Sequence, residues 1–160
     1  MTEITPEELI DRLKYDITTD TNGTTIYRFN GEIHRGNDQP AVISSLGSMF
    51  WYKNGSLHRD NDQSAVEYAN GDVAWYKDGK RHRDNDQPAI IYPNGYTEWW
   101  VNGRLHRDND LPAVIYINGD VIWYNDGKRH RDNNQPAVIY ANGTKEWWAN
   151  GEFIRRESKS

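Results

Sequence analysis

The residues of this chain that can do chemistry recur at one spacing. All five histidines, His34, His58, His82, His106 and His130, stand 24 residues apart, and an arginine follows each: Arg35, Arg59, Arg83, Arg107 and Arg131. Carboxylates come next, as Asp60 and Asp62, Asp84 and Asp86, Asp108 and Asp110. Imidazoles ligate metals, guanidiniums fork onto carboxylate or phosphate, and paired carboxylates suit a hard cation. For the histidines, geometry decides against metal. A unit of two strands advances roughly 10 Å, whereas zinc ligands lie about 2 Å from the ion. Neighbouring ladder histidines cannot share an ion, and they are expected to bond the backbone of the next unit. The Asp-x-Asp loops lack the glycine and glutamate of a calcium-binding loop; counted from Asp84, those places hold Ala89 and Gly95. Their carboxylates are expected to accept turn hydrogen bonds or to pair with Arg59, Arg83 and Arg107. No metal and no cofactor are expected.

The arginines admit two readings. They lie over tryptophan rings and pair with loop aspartates, or they form a regular row of contacts to an anionic partner. The His-Arg-Asp tripeptide at His58, His82, His106 and His130 also occurs in kinase catalytic loops. A kinase needs a glycine-rich loop, a strand lysine and Asp-Phe-Gly as well, and none of these is present. No nucleophile stands beside a base in a way that interrupts the repeat, so catalysis is not expected.

The elements that position these groups follow from the same period. Aromatic pairs keep the 24-residue step: Trp51-Tyr52, Trp75-Tyr76, Trp99-Trp100, Trp123-Tyr124 and Trp147-Trp148. Two glycine series punctuate each unit, one at Asn70-Gly71, Asn94-Gly95, Asn118-Gly119 and Asn142-Gly143, the other from Asn54-Gly55 through Asp78-Gly79 to Asn150-Gly151. Asn-Gly and Asp-Gly between apolar runs signal type I′ hairpins. A two-residue turn at Asn70-Gly71 pairs Ala69 with Asp72 and Val66 with Trp75. Alternation then puts Val66, Tyr68, Val73 and Trp75 on a buried face. Tyr76, Trp100, Tyr124 and Trp148 fall on a second, half-exposed face, where they form a binding stripe or pack against a loop or a sister chain. The polar HRDNDQPA stretch is expected to be a connecting loop, with proline opening the next strand.

Composition bounds the class. The chain has 160 residues, 36% hydrophobic, with 7 Trp and 10 Tyr against 3 Phe, which points to a thin, extended structure rather than a thick core. A net charge of −5 argues against general nucleic-acid binding. There is no cysteine, no apolar run long enough to span a membrane, and a polar, acidic beginning unlike a signal peptide. Residues 1–21 are expected to form a cap. Thr5-Pro6-Glu7-Glu8 has capping-box spacing, and the helix after it carries Leu9, Ile10 and Leu13 on the side meant to cover the first hairpin. Residues 22–151 hold about five 24-residue hairpin repeats, and 152–160 are a polar tail. The fold expected is all-β: an elongated antiparallel sheet of stacked hairpins with a short N-terminal helical cap.

The stretches Asp126-Gly127-Lys128-Arg129-His130, Ala137 to Gly143 and Trp147-Trp148-Ala149-Asn150-Gly151 resemble MORN repeats, most closely their divergent bacterial and viral variants. The resemblance spans residues 22–151, with one departure. MORN units usually follow the histidine with Gly-x-Gly, where this chain has Arg83-Asp84-Asn85-Asp86-Gln87-Pro88. It implies hairpins stacked into a long sheet and a scaffolding or protein-binding role rather than catalysis, in the cytoplasm of a bacterium or a virus-infected cell. The expected function is a non-catalytic interaction module. Its contact residues are Arg59, Arg83, Arg107, Arg131, Tyr76, Trp100, Tyr124 and Trp148, with the histidines structural. Two alternatives stay open: a small-ligand or ion sequesterer with one site per repeat, and a structural element that self-associates through the sheet edge near Trp147 and Trp148.

Overall fold

Two kinds of turn, repeated in every unit, set the architecture. The structure, a computed structural model, describes residues 5–159. Asp78 and Gly79 both take positive φ, 50° and 78°. This type I′ geometry matches strand twist and closes a two-residue hairpin. Tyr76–Lys77 and Lys80–Arg81 pair across it. The same outer hairpin recurs at Asn54, Asn102, Asp126 and Asn150.

The other Asn-Gly series turns differently from expectation. Of the pair, only Gly71 is left-handed, at φ 90°. Gly71 N–H donates to the Tyr68 carbonyl, and Tyr68 N–H donates to that of Asp72. The turn therefore has three residues and a glycine bulge. Asn70 Oδ1 accepts from Asp72 N–H at 3.1 Å, which holds asparagine inside the turn without positive φ. The register becomes Val66 with Ala74 and Glu67 with Val73, one residue off the expected pairing. A one-residue slip exchanges the faces of a strand. Trp75 thus leaves the face of Val66, and Tyr76 joins it.

Each unit contributes two strands to one long sheet and one outer hairpin beside it. Val73–Ala74 pairs back to Val66–Glu67 and forward to Ile90–Ile91 of the next unit. Repetition of this step builds an antiparallel sheet of 14 strands. Trp75 is the crossing point: its N–H bonds Ala89 in the sheet, and its carbonyl accepts from His82 N–H to close the hairpin. Gly79 N–H reaches Leu57 of the preceding hairpin, so the hairpins also form a row.

The core lies between sheet and hairpin row. Val66, Ala74 and Ile90 form one buried cluster, packed by Phe50, Leu57, Tyr76, Tyr92 and Trp100. Val114, Ile122 and Val138 form a second, packed by Leu105, Tyr124, Tyr140 and Trp148. Burying Val66 or Val138 contributes about 2 kcal/mol each. Ala41, Ala65, Ala89, Ala113 and Ala137 are fully buried.

The ends depart from expectation in two places. Helix α1 (Pro6–Lys14) begins with Leu9 N–H on the Thr5 carbonyl; the Glu8 side chain of the expected capping box lies outside the described residues. Leu9, Ile10 and Leu13 are exposed rather than laid on the first hairpin. Contact comes instead from Tyr15, which is buried edge-on against Tyr27 and Phe29. Strand β1 (Asp16–Thr19) pairs with β2 (Thr25–Phe29), extending the sheet ahead of the first unit. At the other end, the expected tail forms a strand, Glu152–Glu157, along Lys145–Ala149. The edge near Trp147 and Trp148 is thereby covered; the outermost strand carries Arg155, Arg156 and Glu157, charges of the kind that discourage edge pairing. Among the described residues, no helix is long and apolar enough to cross a membrane.

Ala89→Val should destabilise the protein by about 1–3 kcal/mol, because its site is closed and overpacking displaces both layers. Urea unfolding followed by tryptophan fluorescence measures this; an unchanged midpoint would mean that the alanine column does not limit packing.

Candidate functional site

The loop that follows each histidine is shaped by asparagine and aspartate. Asn61 and Asp62 take φ of 61° and 55°, and Gln63 N–H bonds the Asp60 carbonyl at 3.4 Å. Two successive left-handed residues make a type I′ turn, which asparagine and aspartate tolerate better than other side chains. The turn recurs at Asn37-Asp38, Asn85-Asp86, Asn109-Asp110 and Asn133-Asn134.

Its second residue ties one unit to the next. The Asp62 carbonyl accepts from Trp75 Nε1 at 3.0 Å. Its carboxylate accepts from Arg83 Nε and NH2, both at 2.9 Å. The Arg83 guanidinium lies 3.8 Å from the centre of the Trp75 ring, and NH1 donates to the Pro88 carbonyl. The same rung links Arg59 with Asp38 and Trp51, Arg107 with Asp86 and Trp99, and Arg131 with Asp110 and Trp123. Arg59 also bonds Glu67 at 3.0 Å. These four arginine side chains are only 12–16% exposed. The charge-assisted bonds from arginine hold the carboxyls of Asp38, Asp62, Asp86 and Asp110 below the usual aspartate range. The arginines are therefore internal fasteners, each partnered by the aspartate of the unit before it.

The histidines fasten a second seam. Nδ1 of His34, His58, His82, His106 and His130 accepts the backbone N–H of Asn54, Asp78, Asn102, Asp126 and Asn150, at 3.1–3.2 Å. An accepting Nδ1 assigns the proton to Nε2. In His82 that nitrogen lies 2.8 Å from Asp84 Oδ1. Asp60 and Asp84 are lowered by these histidine bonds and then by Lys53 and Lys77. Val101 and Asn125 replace the lysines further on, leaving Asp108 and Asp132 with side chains 80% and 78% exposed.

The four second-face aromatics are half-buried in the core seam rather than forming an open stripe, and Tyr76, Trp100 and Tyr124 also border the spaces between successive loops. The Tyr76 hydroxyl accepts from Arg81 Nε at 3.0 Å and that of Tyr124 from Arg129 Nε at 3.4 Å. Trp100 Nε1 donates to Glu98 at 2.6 Å, and Trp148 Nε1 to Glu146 at 2.9 Å. Arg81 and Arg129 lie 5.0 and 4.9 Å from the Trp100 and Trp148 rings of the following units. A 48-residue alternation is thus laid over the 24-residue one. Arg81, Arg129, Glu98 and Glu146 went unread in the sequence, although comparing every second unit would have found them.

Between successive loops run grooves, all with the same kind of wall. Their volumes are about 250, 270, 470 and 190 Å³ in chain order. The second is lined by His58, Asp60, Asn61, Tyr76, Lys77 and Asp84, among others. No group of three or more metal-ligating side chains occurs among the described residues. Compared with known proteins, the chain matches no family model and no curated protein.

Arg83→Lys removes the fork and the planar stack together, and should cost about 1–2 kcal/mol. A double-mutant cycle with Asp62→Asn isolates the coupling; additive effects would show that the rung is not a unit. The depressed aspartates also set a pH dependence. A carboxyl lowered on folding adds stability above its unfolded pKa, near 4, and loses it as pH falls through the lower folded value. Thermal midpoints should therefore fall below about pH 4, and Asp62→Asn should flatten that fall.

Proposed function

We propose that this chain is a non-catalytic interaction module, and that its contact surface is the row of inter-unit grooves. One observation carries the reading: consecutive junctions offer a groove walled by the same histidine, aspartate, asparagine and aromatic positions. A surface that repeats in register suits a partner that repeats too. With the ladder arginines paired and stacked, the exposed carboxylates of the groove walls are Asp60 and Asp84, each with a lysine beside it, and Asp108 and Asp132, which have none; Tyr76, Trp100 and Tyr124 line the same grooves. Two strands advance roughly 10 Å, close to the roughly 9 Å of three residues of polyproline II. An extended protein segment with a basic residue at every third position would meet each groove in turn. A MORN-like relationship belongs to the same proposal, since it implies the same class of role.

Peptides with lysine at every third position, in increasing length, test the proposal by isothermal titration. Affinity should rise with each added triplet until the four grooves are filled, by multivalency. Asp108→Asn with Asp132→Asn, the two carboxylates without a lysine beside them, should weaken the longest peptide by about fivefold, within the range for two exposed charge pairs. A scrambled peptide that binds equally well would remove the register argument. The rival reading, one small ligand per groove, instead gives independent sites of equal affinity in the same titration.

A further inference from the structure

The first rung of the ladder is built like the others but is left half filled. Arg35 occupies the ladder position 24 residues before Arg59, and Tyr27 stands where later units have tryptophan. The guanidinium lies 3.8 Å from the centre of the Tyr27 ring, and NH1 donates to the Pro40 carbonyl. The carboxylate comes from helix α1, because no unit precedes this one in the ladder. Asp11 Oδ2 accepts from Arg35 NH2 and leaves Nε untouched. In the four later rungs Nε donates to an aspartate oxygen at 2.7–2.9 Å. Among the described residues, Arg35 Nε is the one buried side-chain nitrogen or oxygen without a hydrogen-bond partner.

Arg35 is one of the residues lining a cavity of about 720 Å³ between α1, the first hairpin and the loop after His34. Drug-sized ligands occupy cavities of roughly 300–1,000 Å³. Its walls include Ile10, Asp11, Ile17, Tyr27, Arg35 and Gln39. The loop is drawn close to the helix end by Gly36, which stands where later loops have aspartate. Gly36 N–H donates to the Tyr15 hydroxyl at 2.9 Å, and a Cβ there would come within 3.3 Å of that oxygen.

We infer that this cavity is a carboxylate-binding site, with Arg35 as the anchoring residue and Ile10 and Ile17 receiving a short apolar body. The later rungs define the ligand chemistry. An arginine stacked on an aromatic ring, with Nε and NH2 facing one way, matches the two oxygens of a planar carboxylate. Asp11 satisfies one of the two donors and occupies the place of the second oxygen. A ligand that takes both displaces Asp11, so the helix acts as a weak competitor for the site. The carboxylate can come from a small organic acid or from the free end of a peptide, and the two share this recognition.

The test follows the Arg35 Nε–H resonance by NMR on the full chain. Hexanoate should shift it saturably, while hexanol does nothing and the Arg83 and Arg107 resonances stay still. Asp11→Asn removes the competing charge and should tighten hexanoate binding several-fold. Arg35→Gln should abolish it; if that variant fails to fold, Asp11→Asn decides alone. Gly-Leu-Leu with a free carboxylate is compared with its amide. Tighter binding of the tripeptide acid than of hexanoate assigns the source to a peptide end, the reverse order assigns it to a small acid, and both sustain the inference. Equal drift of all the ladder arginines, no saturation with any carboxylate, or no change on Asp11→Asn overturns it. These outcomes are independent of the groove proposal, which concerns the later junctions and a basic partner.

Discussion

Everything in this fold depends on one fastening, the arginine that lies flat on a tryptophan and is gripped by the aspartate of the preceding unit. The strands are too short to do this work. Most are two residues long and share two or so ladder positions with each neighbour. Two-stranded hairpins are marginal in water even when longer. The rung adds a stacked cation, worth about 0.5–2 kcal/mol as it is desolvated, and two charge-assisted bonds to a rigid fork. The same aspartate also takes the tryptophan N–H on its carbonyl, so a single residue positions both halves of the sandwich. Apart from asparagine, which stands there in the last loop, a side chain of another type cannot easily take the place, because the position is left-handed.

The fastening reaches from each unit to the next, which makes the array nearly one-dimensional in its energetics. It also makes the ends a physical problem, since a terminal rung lacks a partner on one side. The chain meets this differently at each end. At the start, Tyr27 and Asp11 substitute for tryptophan and loop aspartate, incompletely. At the far end, Arg155 falls on the ladder step after Arg131 and stacks 3.5 Å over Trp147. The loop residue it would use is Asn134, which has no charge, and Glu157 on its own strand pairs with it instead. The sequence change from aspartate to asparagine at 134 thus coincides with a change of partner.

Because the ladder arginines are turned inward, the loops leave a different set of groups outside. The histidines have the same inward character: one ring nitrogen holds the next unit's turn and the other holds an exposed carboxylate. What remains accessible is a line of carboxylates and asparagines beside half-buried rings, at a constant step, with Lys53 and Lys77 on the first two carboxylates. Regularity, rather than any single reactive group, distinguishes this surface.

Period and composition alone determined a good deal. The 24-residue register of His-Arg, aromatic pair and Gly dictated an all-β array of hairpins, since side-chain alternation and turn chemistry are local. The tight turns at Asp78-Gly79 and its equivalents were equally legible. The turns at Asn70-Gly71 were not, because the same dipeptide serves a two-residue and a three-residue turn. Only the pairing of Val66 with Ala74, enforced by the next strand, chooses between them. That choice moved Tyr76, Trp100, Tyr124 and Trp148 into the core seam and sent Trp75 under an arginine. Nor does the sequence say that Arg83 finds Asp62, 21 residues back, in preference to Asp84 beside it. Distance along the chain carries no information about which carboxylate a long side chain meets. The stacking of one unit on the next fixes that pairing, and with it which charges are left exposed.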